Sequence, residues 1–149
     1  MITLLLVSFL LMALCVAIHA IGVMSALRKL DHTSTLANPR FWPMTWLLIQ
    51  VAGWLVLLHL LEITIWALLY VRVGAMPDLH SALYFSSVTY TTTGYGDLVL
   101  PEGWRLLGGV EALTGILMCG WSAAFFFAIV SRLHRSQQST SPASRPAAD

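Results

Sequence analysis

At 149 residues, 58% of them hydrophobic and only 10% charged, the chain has the composition of a membrane protein and not of a soluble domain. A net charge of +1 without any basic stripe excludes a nucleic-acid partner. Cys15 and Cys119 both lie inside apolar runs, so they are read as small buried hydrophobes, not as a disulfide or a metal pair.

Residues 1–27 read as a first membrane-spanning helix, since a span needs about 20 apolar residues. A cleaved signal peptide fits poorly: no basic residue precedes the run, the run is too long, and Arg28 and Lys29 follow it. His19 is its one group that titrates near neutral pH, and it is read as bonded to a neighbouring helix. Residues 28–43 are polar and turn-rich, with Asn38-Pro39 and Pro43, and read as a loop. Residues 44–73 form the second span, entered through the interfacial aromatics Phe41, Trp42 and Trp46. It carries His59 and Glu62, three apart on one helix face. An ionised group at mid-bilayer costs about 2.5–3.5 kcal/mol on insertion scales, so these residues need a partner or a role. Two readings stand: a proton-sensitive latch between the first two helices, or a protonated Glu62 bonded to a neighbouring helix for assembly.

Asp78, after Pro77, is placed to cap a short helix over residues 79–91, too short to span. Residues 92–97, Thr92-Thr93-Gly94-Tyr95-Gly96-Asp97, are then not apolar, and two glycines in three residues break any helix. Residues 104–133 form the third span, with Gly108, Ala112, Gly115, Cys119 and Ser122 as a stripe of small residues that lets helices approach closely. Its Glu111 is a second intramembrane acid. Residues 134–149 read as a disordered tail, too short to fold as a ligand-sensing domain.

A loop at membrane depth survives only where protein or a water-filled path surrounds it. The run Thr92, Thr93, Gly94, Tyr95, Gly96 and Asp97, with an apolar span on each side and a short amphipathic segment before it, resembles the pore loop of tetrameric potassium channels. One residue departs from the pattern: Thr93 stands where Val or Ile is usual, keeping the β-branch and adding a hydroxyl. The resemblance covers roughly residues 44 to 132 and leaves the first helix as an addition.

The resemblance implies an all-α membrane protein of three spans plus a re-entrant pore helix and a filter loop. It implies a homotetramer, because a fourfold filter needs four loops and one chain carries a single one. Carbonyls of Thr92, Thr93, Gly94 and Tyr95, with the Thr92 hydroxyl, are the implied K+ ligands, and Gly96 shares the strand. Residues 44–73 become the outer helix, 79–91 the pore helix and 104–133 the inner helix. The pore helix would aim the negative end of its dipole at the ion path. Tyr84 stands where an aromatic donor to Asp97 is found, and a Tyr84–Asp97 hydrogen bond is expected. Val88 occupies the position of a bracing carboxylate, so Glu111 is expected to bond pore-helix hydroxyls in its place; the alternative is a cavity-facing ring of four acids. Gly115 and Gly120 are candidates for an inner-helix bend, and Gly115 equally for close packing.

With residues 95–97 outside, the 28–43 loop and the tail are cytoplasmic. Arg28, Lys29, Arg40, Arg132, Arg135 and Arg145 then lie inside, six of the eight Lys and Arg. The positive-inside rule agrees with this orientation, and three spans leave the N-terminus outside. The first span lacks repeated arginines, which excludes a charged voltage sensor. The leading reading is a passive potassium-selective channel subunit in the cell membrane, among lipids, not an enzyme, with K+ as cargo and no other cofactor. Titration of His19, His59, Glu62 or Glu111 is a candidate gating stimulus. The runner-up is a membrane metalloenzyme using His59 and Glu62 with His19 and Glu111; a third reading is a weakly selective member of the channel family.

Overall fold

The computed structural model describes residues 2–31 and 41–140, and these are all-helical apart from short connections. The order is α1 (Ile2–Asp31), α2 (Phe41–Arg72), α3 (Leu79–Tyr90), a single 3-10 turn (Glu102–Trp104) and α4 (Arg105–Thr140). Helices α1, α2 and α4 are each long and apolar enough to cross a membrane, over Ile2–Leu30, Trp42–Arg72 and Glu102–Arg135. The three expected spans are therefore present.

The helix ends differ from the hydropathy boundaries. Helix α1 continues past 27 to Asp31, α2 starts at Phe41 with Pro43 in its first turn, and α4 continues past 133 to Thr140. Hydropathy marks the lipid band, whereas the helix goes on wherever the next residues are adequate helix formers, as Arg, Leu and Gln are. The expected 28–43 loop and 134–149 tail thus give up residues at their edges, and 32–40 and 141–149 lie outside the described residues.

Helix α3 begins where Asp78 is extended (φ −153, ψ 165) and caps it twice. Its Oδ1 accepts from the Ser81 N–H at 2.9 Å and its Oδ2 from the Ser81 hydroxyl at 2.8 Å. Those two bonds, the N–H first, hold the Asp78 carboxyl below the usual aspartate range. The cap therefore contributes in full above the ordinary aspartate pKa, and the contribution is lost as pH falls through the lowered value. Asp78→Ala is expected to lower the unfolding temperature at neutral pH. The gap from wild type should close in strongly acidic buffer, as thermal scans at the two pH values would read.

The helices pack around two apolar clusters at opposite ends of the bundle. At one end Cys15 of α1, Ile63, Trp66 and Tyr70 of α2, Phe85 and Tyr90 of α3, and Leu107 and Met118 of α4 are buried together. At the other end Val23 and Leu30 of α1 meet Leu47 to Leu58 of α2 and Phe125 to Leu133 of α4. Leu4 and Leu11 pack on the cluster that contains α3, so α1 starts at the end where α3 lies and α4 finishes at the opposite end. Helix α1 is seated on both α2 and α4, and the Trp54 indole donates to the Gly22 carbonyl at 3.0 Å. The outward face of α1, with Phe9, Leu10 and Ile21, stays exposed and apolar, as a lipid-facing surface must be.

Candidate functional site

The 92–97 segment leaves the C-terminal end of α3 with its backbone still tied to the helix. The Thr92 N–H donates to Thr89 O at 2.9 Å and the Gly94 N–H to Val88 O at 3.0 Å. Thr91 Oγ1 donates to Ser87 O at 2.7 Å and lies 3.0 Å from Thr93 Oγ1. The hydroxyl that distinguishes Thr93 from Val is thus engaged by the Thr91 hydroxyl. Positive φ occurs at Thr92 (59°), Gly94 (51°) and Gly96 (78°), alternating with ordinary residues at 93 and 95. Alternating hands let neighbouring peptide groups point the same way, whereas an extended strand turns successive carbonyls to opposite sides. Gly94 and Gly96 adopt this conformation without a Cβ penalty. Thr92, a β-branched residue, holds it at a cost of roughly 1–3 kcal/mol, a strain that the glycine pattern did not foretell.

Every residue from Thr91 to Val99 is exposed in the single chain, Tyr95 to 71%. Beside the loop, the Tyr84 hydroxyl donates to Asp97 Oδ2 at 2.7 Å, the bond expected from sequence, and holds the Asp97 carboxyl below its usual range.

Behind α3 lies a first polar cluster. Glu111 of α4 is fully buried and accepts from the Tyr70 hydroxyl of α2 at 2.6 Å and from the Ser86 hydroxyl of α3. Ser86 also reaches Ile63 O at 2.9 Å. Glu111 therefore faces α2 and α3 and is sealed from the surface, as a brace behind α3 is and an acid lining an open cavity is not. Gly115, one turn further on, has the tightest surroundings of any glycine: a Cβ there would lie 1.8 Å from the Tyr90 carbonyl oxygen. That is a packing role. Gly120 has nothing within 4 Å and is exposed, so of the two it is the one left free to bend.

A second polar cluster sits between the two apolar ones, near the middle of all three spans. It unites His19 of α1, His59 and Glu62 of α2, Tyr90 of α3 and Ser122 of α4. His19 and Glu62 are fully buried and His59 is 18% exposed. Glu111, grouped with these residues as a fourth ligand in the metalloenzyme reading, instead belongs to the Tyr70–Ser86 cluster. Tyr70 and Tyr90 escaped the sequence reading and Ser122 entered it only as a small residue. The signal was available for Ser122, a polar residue at mid-span on a third helix, but the reach of the two tyrosines depends on tertiary packing.

Comparison with known proteins adds one finding. A family model described as an ion channel matches residues 45–132, more than half of the chain. Searches of curated proteins and of solved structures return no match. The matched stretch begins in α2, ends in α4, and encloses α3, the 92–97 loop and the Glu111 cluster; α1 precedes it. The chain is therefore a multi-pass membrane protein belonging to the two-helix pore ion channel family, with one further apolar helix ahead of the family's domain.

Proposed function

We propose that this chain is one subunit of a potassium-selective channel, in which four copies bring their 92–96 loops around a common axis. The observation that carries this reading is the loop itself. It joins a short non-spanning helix to a return segment between two spans, carries the Thr92–Asp97 motif, and alternates in backbone hand. Its polar backbone is exposed along the single chain, and such backbone cannot face lipid, which supports cover by other copies and a water-filled path. Carbonyls of Thr92, Thr93, Gly94 and Tyr95, with the Thr92 hydroxyl, replace the hydration shell of K+ as it passes. Conduction is passive and needs no catalytic residue.

Three groups support the loop in this reading. Tyr84 and Asp97 tie its outer end to α3. Glu111, through Ser86 and Tyr70, fixes α3 against α2 and α4. The inner helix bends at Gly120 while Gly115 keeps it against the pore helix. The end bearing Asp97 faces outside, which puts the α1 N-terminus outside and the α4 C-terminus in the cytoplasm; the Lys and Arg distribution supports this orientation.

Flux from liposomes loaded with K+ or with Na+ tests the function, with Gly94→Asp as the blocked control. Release of K+ without Na+, abolished in the variant, is expected; equal release of both ions would overturn selectivity. Tyr84→Phe is expected to lower the heat stability of the oligomer and to speed the decay of K+ current. If stability, conduction and decay all match wild type, Tyr84 has no supporting role.

A further inference from the structure

We propose that His19, His59 and Glu62 bind one divalent transition-metal ion of the zinc class, fastening the added helix α1 to the channel domain at mid-membrane. Five groups close a ring of contacts. His19 Nδ1 lies 3.0 Å from Glu62 Oε1, His19 Nε2 3.1 Å from Ser122 Oγ, and Ser122 Oγ 3.0 Å from His59 Nε2. His59 Nδ1 lies 3.3 Å from the Tyr90 hydroxyl, which in turn donates to Glu62 Oε2. With Glu62 as carboxylate and both rings neutral, the members bring four protons to these five contacts, one each from His19, His59, Ser122 and Tyr90. Wherever the protons are placed, one contact is left with two lone pairs facing each other. Either a metal ion or a proton on Glu62 closes the ring, and the donor set favours the metal.

The donor set and its spacing fit a metal. Two imidazoles and one carboxylate are a zinc ligand set with room for a fourth ligand, and the Tyr90 hydroxyl borders that position. Ligands held about 2.0–2.2 Å from a tetrahedral ion lie roughly 3.3–3.5 Å from one another. One ligand atom from each of the three residues lies within 4.8 Å of the others, and the two Glu62 oxygens each face one ring, Oε1 3.0 Å from His19 Nδ1 and Oε2 3.6 Å from His59 Nδ1. When both Nδ1 atoms bind metal, both Nε2–H groups donate to the single Ser122 oxygen, which has two lone pairs to receive them. That is the outer support that metal-bound histidines require.

The test uses full-length protein without a polyhistidine tag, purified in detergent, stripped of metal and titrated with Zn2+ or with Co2+ as a spectroscopic stand-in. One ion per chain is expected, with visible Co2+ absorption of a four-coordinate nitrogen–oxygen site and a higher unfolding temperature on adding Zn2+. His19→Gln and Glu62→Gln should lose both signals. Ser122→Ala, which leaves the ligands in place, should keep the Co2+ spectrum and weaken affinity about 10- to 100-fold. Folded wild-type protein that takes up no Co2+, or uptake unchanged in folded His19→Gln, would overturn the proposal and leave a proton as the ring's fifth member. Uptake is read without any ion flux, so this result stands apart from the outcome of the liposome assay.

Discussion

Gly115→Ala is expected to disrupt the packing of α4 on α3 more severely than a glycine-to-alanine change at any other glycine of the chain disrupts its surroundings. The new Cβ would sit 1.8 Å from the Tyr90 carbonyl oxygen and 2.7 Å from its carbon, and neither is a side chain that can swing aside. Overpacking a well-filled site costs typically 1–3 kcal/mol, and a collision of backbone with backbone belongs at or beyond about 3 kcal/mol. Because Tyr90 ends α3 and the 92–97 loop begins two residues later, the displacement falls directly on that loop. Size-exclusion profiles and thermal unfolding should show loss of oligomer and a lower transition temperature. Gly120→Ala is the contrast: no atom lies within 4 Å of its added Cβ, so assembly should survive and any effect should appear in gating. A Gly115→Ala protein that assembles and conducts normally would show that α4 does not lie this close to α3.

Glu111→Ala is expected to have the second large effect. It removes the acceptor of two buried hydroxyls, but not with equal consequence. Ser86 can turn its proton wholly to Ile63 O, whereas Tyr70 has no other acceptor among its hydrogen bonds in the described residues. An orphaned buried hydroxyl and the cavity left by the side chain together cost roughly 2–4 kcal/mol. Glu111→Gln should be far milder. Its amide oxygen accepts from Tyr70, and its NH2 donates to the Ser86 oxygen, freeing the Ser86 proton for Ile63. Thermal stability with single-channel recording separates the roles. Near-wild-type conductance in the Gln variant, with instability or altered filter gating in the Ala variant, marks a brace. A large conductance drop in the Gln variant marks a charge that acts on the permeating ion.

Much of the architecture was legible because it is set by local rules. The three spans follow from apolar length, and the start of α3 from Asp78 after Pro77 with Ser81 within reach of its carboxylate. The motif at 92–97 was legible as well, down to the Tyr84–Asp97 bond. Three things were not. Helix ends were misplaced because apolarity reports the lipid band and not the last hydrogen-bonded turn. Left-handed Thr92 was missed because only glycine advertises that conformation in sequence. That His19, His59 and Glu62 meet was foreseen, but their further partners Tyr90 and Ser122 were missed, being 28 to 103 residues away and brought close by helix packing alone. Glu111 shows the other side of the same limit: its depth placed it behind α3, but nothing local named Tyr70.

In the proposed channel, four rows of backbone oxygens, one from each chain, admit K+ in preference to Na+. The reversal potential of purified channels in a planar bilayer, with K+ on one side and Na+ on the other, reads that preference directly. The account predicts a reversal displaced strongly toward the K+ equilibrium potential; a current that reverses at the symmetrical value, with both ions carrying it equally, would contradict it.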